Sequence, residues 1–164
     1  MITSHLYTTM SSPLGEIVLT SNGEAITGLY TPEHHYYIQA QKETHDPKPF
    51  QQGIKQLNEY FAGKRNKFDL PLAPVGTEFQ KRVWKALNDI GYGETKSYGE
   101  IAKSLNHPNA SRAVGMANSK NPICIIIPCH RVIGMNGKLT GYAGGIQAKE
   151  WLLNHEATVG STKG

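Results

Sequence analysis

Residues 123–127 read Ile-Cys-Ile-Ile-Ile, and Pro128, Cys129, His130 and Arg131 follow at once. Four β-branched residues in a run of five apolar ones predict a strand buried on both faces. Such a strand needs covering layers, so the chain must fold around it. Proline cannot donate to a strand ladder and ends the run. A thiol, a titratable base and a guanidinium therefore emerge together at the end of a buried element, at an edge where a pocket can open. Nearby positive charge lowers a thiol's pKa and favours the thiolate, the form that attacks. Cys129 is thus a candidate nucleophile with an exposed sulfur. Cys124, in mid-strand, reads as a small buried hydrophobe.

The 164 residues, 38% apolar and 18% charged, suffice for a real core in one or two small domains. No apolar run approaches membrane-spanning length. Residues 1–10 lack a basic start and an apolar centre, so no secretory signal is expected. The two cysteines lie too close along the chain, beside a proline, for an easy mutual disulfide. A soluble protein of the reducing cytoplasm is expected. The charge is uneven: residues 77–156 carry ten basic and six acidic side chains, residues 1–76 six and seven. A basic half suggests a polyanionic partner.

The first part reads as a small antiparallel sheet, with HLYTTM, GEIVLTS and AITGLYT separated by the turn signals SSPLG and NGE. Residues 34–49 are polar and irregular. Phe50, Ile54, Leu57 and Phe61 recur at helical spacing up to Gly63. Residues 64–76, with Pro71 and Pro74, read as a linker between a domain at 1–70 and one at 77–156. The second is mainly helical. Thr77-x-x-Gln80 and Ser97-x-x-Glu100 are capping boxes, and the first helix is stopped by Gly91 and Gly93. ASRAVGMANSK is a third helix, and the turn HPNA before it completes a helix-turn-helix outline. A glycine-rich loop, LTGYAGG, precedes a final helix through KEWLLNHE.

His130 adjoins Cys129, yet neighbours in an extended chain face opposite ways. A relay through water is the favoured link. The third group that would fix the imidazole tautomer is left open among Glu94, Glu100, Glu150 and Glu156. A metal site made from Cys124, Cys129, His130 and His155 lacks ligand spacing, so no metal is expected. Arg112 stands among the small residues Ala110, Ser111, Ala113, Gly115, Ala117 and Ser119. That helix has few base-reading side chains, which argues for shape-based or minor-groove contact; the plainer alternative is close packing inside the domain. Tyr98 begins a helix as a core ring or a site residue. Tyr142 and its glycines could line a pocket, without the spacing of a nucleotide-binding loop, so no cofactor is indicated.

PCHRV, preceded by NPICIII and followed by GYAGG and KEWLLNHE, resembles the O6-alkylguanine-DNA alkyltransferases. FQKRVWKAL, GETKSYGEIA and SRAVGMANSKNP follow the family's order, so the resemblance covers residues 77–156; SSPLGEIVLTSNG and LNEYFAG extend it weakly. It implies an α+β fold: a small N-terminal antiparallel sheet with a helix, ribonuclease H-like, and a C-terminal helical winged-helix/helix-turn-helix-like domain. It implies a monomeric DNA-repair protein, open to cooperative clustering on DNA. Such a protein binds double-stranded DNA in the minor groove, flips O6-alkylguanine and transfers the alkyl group once, irreversibly, to Cys129. In that scheme Arg112 fills the gap in the base stack, and Ser111, Ala113 and Gly115 border it. Tyr98 assists extrusion and hydrogen-bonds the guanine. Asn121 orders the turn before the cysteine. His130 deprotonates Cys129 through water and Glu156 holds His130. The carbonyls of Cys129 and Val132 accept the exocyclic amine, Tyr142 lines the pocket, and the Ala143 N–H faces O6. Some members have serine at Ala143, and some bind N-terminal zinc through cysteines absent here. Two alternatives from other classes are a non-catalytic damage-sensing module and a cysteine hydrolase.

Overall fold

The structure, a computed structural model, describes residues 5–134, 142 and 144–162. Strands β1 (Leu6–Met10), β2 (Ile17–Ser21) and β3 (Ile26–Tyr30) form an antiparallel meander, with Met10 opposite Ile17 and Leu19 opposite Leu29. The β2–β3 turn is set by Asn22, whose side-chain oxygen accepts from the N–H groups of Glu24 and Ala25. The polar stretch after β3 is more ordered than its composition suggests. It holds α1 (Tyr37–Ala40), β4 (Thr44–His45) and a 3-10 turn (Lys48–Phe50). β4 pairs parallel with β1, giving the order β3-β2-β1-β4, so the sheet is mixed rather than purely antiparallel. The outer edge of β1 needs backbone partners, and that demand is invisible in side-chain polarity.

Helix α2 (Gln51–Phe61) buries Leu57 and Tyr60, and Gly63 follows it at φ 76°, where a side chain would be strained. The expected linker is tied to the sheet. Ile26 N–H donates to Pro71 O, Ala73 N–H donates to Ile26 O, and Gln56 bonds Asp69 through both amide atoms. Helices α3 (Glu78–Leu87) and α4 (Tyr98–Ser104) begin with complete capping boxes, Thr77 with Gln80 and Ser97 with Glu100. α3 ends at Leu87, before the glycines, and Ile90 is buried in the turn that follows. Asn106, at φ 63°, turns the chain from α4 toward α5 (Ser111–Ser119).

The stretch 123–127 is buried but is not a strand. Ile123 bridges Leu29 in parallel; beyond it the chain turns, Ile127 N–H donates to Ile123 O, and Ile125 sits at φ 72°. The cause is Asn121. Its side-chain oxygen accepts from Ile123 N–H, and its amide donates to the carbonyls of Ile127 and Ile123. These bonds close a loop that an extended ladder would forbid. A 3-10 turn (Cys129–Arg131) follows, then β6 (Val132–Ile133), parallel to β5 (Lys96–Ser97). Helix α6 (Ile146–Thr162) closes the fold, with Leu152 buried and Trp151 stacked on His155. One apolar cluster runs from Leu19 and Leu29 in the sheet to Val114, Ile127 and Leu152. Among the described residues no helix is long and apolar enough to cross a membrane.

Candidate active site

Two groups of the candidate residues come together. Around the 3-10 turn lie Cys129, His130, Asn121, Val132, Tyr142 and Glu156. On the helix-turn-helix lie Tyr98, Ser111, Arg112, Ala113 and Gly115. Ala143 falls outside the described residues.

The 3-10 turn folds Cys129 inward rather than out to an edge. It is 2% exposed, against the expectation of an exposed sulfur, and it lines neither the cavity beside Pro128 and Arg131 nor the one beside Tyr98 and Arg112. The physical reason is the turn itself: Cys129 N–H donates to Ile127 O, which curls the residue back over the buried loop. Burial pushes the thiol pKa up, but contacts with Cys124 and Asn121, the Lys149 ammonium and Tyr142 outweigh it and bring the thiol below its ordinary value. Cys124 is buried as expected, and its thiol is held well above the ordinary value by its contact with Cys129, followed by burial. Tyr142 is buried beside both sulfurs.

His130 is fully buried. Its Nε2 lies 2.7 Å from Glu156 Oε2, and its Nδ1 has no hydrogen-bond partner among the described residues. A carboxylate only accepts, so Nε2 carries the proton and the neutral ring presents a lone pair at Nδ1. Burial lowers the His130 pKa and outweighs the opposing pull of Glu156, which keeps the ring neutral and basic at Nδ1. Of the four acids left open by the sequence, Glu156 is the one placed here. Burial would raise its pKa, but hydrogen bonds and charge from His130 and Arg131 hold the carboxyl well below the usual range.

Arg131, expected to set its charge beside the thiol, instead holds Glu156, and Tyr60, Asn118 and Lys149 were missed in the sequence. Arg131 donates from Nε to Glu156 Oε1 at 2.8 Å and from Nη2 to Oε2 at 3.1 Å, while Nη1 binds Ile90 O. Tyr60 donates its hydroxyl to Glu156 Oε2. Asn118 donates to Cys129 O at 3.3 Å, and Lys149 Nζ donates to Val132 O at 2.6 Å. Arg131 adjoins His130, and Lys149 lies seven residues before Glu156 on one helix; both spacings were available signals. Nothing local marks Tyr60. The carbonyls of Cys129 and Val132, expected to receive a base's amine, already hold these donors, and Cys129 O also accepts Val132 N–H.

On the second group, Tyr98, Gly99, Ser111, Arg112 and Gly115 line an open cavity of about 340 Å³. Arg112, Ala113 and Met116 face outward from α5; Val114, Ala117 and Asn118 face the core. The small residues therefore divide between a surface face and a packed one. Trp84 Nε1 donates to Ala117 O and fixes α5 against α3. Among the described residues no group of three or more His, Cys, Asp or Glu side chains converges as a metal site requires.

The chain matches two family models along nearly all its length. Residues 5–74 match the ribonuclease-like domain of 6-O-methylguanine DNA methyltransferase, and residues 78–158 match its DNA binding domain. It is 53% identical over 150 residues to the methylated-DNA–protein-cysteine methyltransferase of Mycobacterium bovis, covering 92% of this chain and 91% of that one. It is 48% identical over 159 residues to the corresponding protein of Methanosarcina acetivorans, covering 93% and 98%. A crystal structure of Mycobacterium tuberculosis OGT in complex with DNA superposes with a TM-score of 0.88 at 51% identity, covering 94% of each chain. A buried Cys-His-Glu arrangement behind a helix-turn-helix, with these matches across both halves, places the chain in the 6-O-methylguanine DNA methyltransferase family.

Proposed function

We propose that this protein repairs duplex DNA by moving the alkyl group of O6-alkylguanine onto Cys129. The observation that carries the proposal is the Nδ1 of His130, without a hydrogen-bond partner among the described residues and buried next to the reactive cysteine, with Nε2 locked by a carboxylate that cannot donate. Nδ1 is a base waiting for a proton. The proton of Cys129 passes through a bridging water to Nδ1, and Glu156 stabilises the imidazolium. The sulfur's electron pair forms the bond to the alkyl carbon, and the carbon–O6 bond breaks. Its electrons remain on the guanine, which hydrogen bonds from Tyr98 and the Ala143 N–H stabilise as charge develops. The product thioether is a poor leaving group, so each molecule acts once.

Residues 77–156 serve as the DNA-binding and alkyl-acceptor domain, and residues 1–70 support it. The helix-turn-helix meets the minor groove. Arg112, exposed beside the Tyr98 cavity, takes the place of the flipped base, and Ser111, Ala113 and Gly115 permit close approach. Flipping costs a few kcal/mol, less at a damaged pair. Because Cys129 is buried, the base must displace part of its cover, and its amine must compete with Asn118 for Cys129 O and with Lys149 for Val132 O. The protein acts as a cytoplasmic monomer that can cluster along DNA.

The test is incubation with duplex containing O6-methylguanine, followed by mass spectrometry. One methyl on the peptide holding Cys129, in step with lesion loss, is expected. Unmodified protein with an intact lesion would favour a damage sensor, and product far beyond the protein concentration would favour a hydrolase.

A further inference from the structure

The N-terminal half contributes one side chain directly to the Cys129–His130–Glu156 relay. Tyr60, on α2, is fully buried, and its hydroxyl is a donor to Oε2 of Glu156, 96 residues away. The same oxygen accepts from His130 Nε2 at 2.7 Å and from Arg131 Nη2 at 3.1 Å. Three donors share one atom. Each withdraws charge from it, so each weakens its attraction for the others. His155 fixes the tyrosine in turn, with Nε2 2.8 Å from Tyr60 O and the two rings edge to face at 5.3 Å.

We infer that Tyr60 is a positioning residue of the alkyl transfer, which tunes the basicity of His130 by drawing charge from the carboxylate that holds it. This rests on the alkyl-transfer reading above. The direction follows from the geometry. A full negative charge on Oε2 would stabilise the imidazolium and raise the His130 pKa. The phenol's hydrogen bond removes part of that charge, so the ring stays neutral and ready to take the thiol proton at lower pH. Other charged and titratable groups meet at the same place: Glu156 and Lys149 from α6, Arg131 and Cys129 from the 3-10 turn, and Tyr92 from the segment after α3. Tyr60 is neutral, unlike the ionic groups here, and can be altered without adding or removing a charge. Burial, then Glu156, push its own pKa far above the ordinary range, so it remains a donor throughout the working pH.

The experiment compares wild type, Tyr60→Phe and protein carrying 3-fluorotyrosine at position 60, all full length. Two quantities are read: the pH profile of single-turnover methyl transfer, and the His130 imidazole pKa by NMR, which needs no substrate. In Tyr60→Phe the acid limb and the imidazole pKa should both rise by about one pH unit. Fluorotyrosine, a stronger donor of the same shape, should move both the opposite way, and it serves even if Tyr60→Phe folds poorly. A uniform loss of rate at every pH, with the imidazole pKa unchanged in both variants, would assign Tyr60 to structure alone and overturn the inference. Absence of any adduct on wild-type Cys129 would instead overturn the alkyl-transfer reading.

Discussion

Glu156 shows how one side chain ties stability to protonation. Its carboxylate is buried and accepts from His130, Tyr60 and two nitrogens, Nε and Nη2, of Arg131. Its folded pKa lies well below the ordinary 4.5. Two histidines share the sign. His130 is lowered from 6.5, chiefly by burial, and His34 is lowered to about 4 by burial, with His35 adding to the effect. In each case the unfolded chain binds protons that the folded chain refuses. Their contribution to stability is therefore complete above about 6.5 and shrinks on acidification, first through the histidines and then, below 4.5, through Glu156. Urea unfolding from pH 7.5 to 4 should show falling stability across the histidine window. His34→Gln should flatten part of that slope, since His34 lies away from the cysteine site and its ring accepts a backbone N–H from Tyr36. A wild-type profile that is level between pH 6.5 and 4 would contradict the buried neutral state of both rings.

The elements differ in how far local chemistry dictates them. α3 and α4 announce themselves through Thr77 and Ser97, whose hydroxyls accept from the third residue of each helix. α5 has no side-chain cap and contains Gly115 in its middle. A methyl at Gly115 would sit 3.8 Å from the Tyr98 ring, an ordinary contact. Gly115→Ala should thus stabilise the helix by about 0.5–1 kcal/mol, seen as a higher unfolding midpoint. It also adds bulk to the cavity of Tyr98 and Arg112, so duplex affinity should fall. Unchanged affinity would remove this face of α5 from the DNA contact. Such helices were legible because caps and spacing are local. The run 123–127 was misread because β-branched residues signal burial, whereas the turn there is imposed by the Asn121 side chain and needs Ile125 at positive φ. The parallel partner of β1 was unreadable for a related reason, since Thr44 and His45 carry no strand pattern. At the site, Cys129, His130 and Arg131 stood together in one motif. Glu156 was one of four open acids until the family resemblance singled it out, and Tyr60 is joined to it only by the fold.

At the scale of the whole chain, the two halves make contacts unlike those of loosely docked domains, whose interfaces are usually modest and polar. Leu29 in β3 donates to Pro122 O and accepts from Cys124 N–H, so the edge of the sheet is bonded to the loop that carries the reactive cysteine. Thr31 donates to Gly144 O at 2.7 Å, and Phe61 meets Trp151 edge to face. One apolar cluster includes residues of both halves. Melting the sheet would strip Leu29 from the cysteine loop and Tyr60 from Glu156, leaving buried polar groups unpaired at a cost neither half can bear alone. Unfolding should therefore be a single transition, with tryptophan fluorescence, from Trp84 and Trp151, tracking far-UV circular dichroism through urea. Leu19→Ala makes the test sharper. Leu19 is fully buried in β2, and its loss should cost about 2–5 kcal/mol. In a single cooperative unit both signals shift to lower urea by the same amount. Were the dichroism midpoint alone to move, with the tryptophan transition in place, the sheet would be an independent body, and its hydrogen bonds to the cysteine loop could not govern that loop.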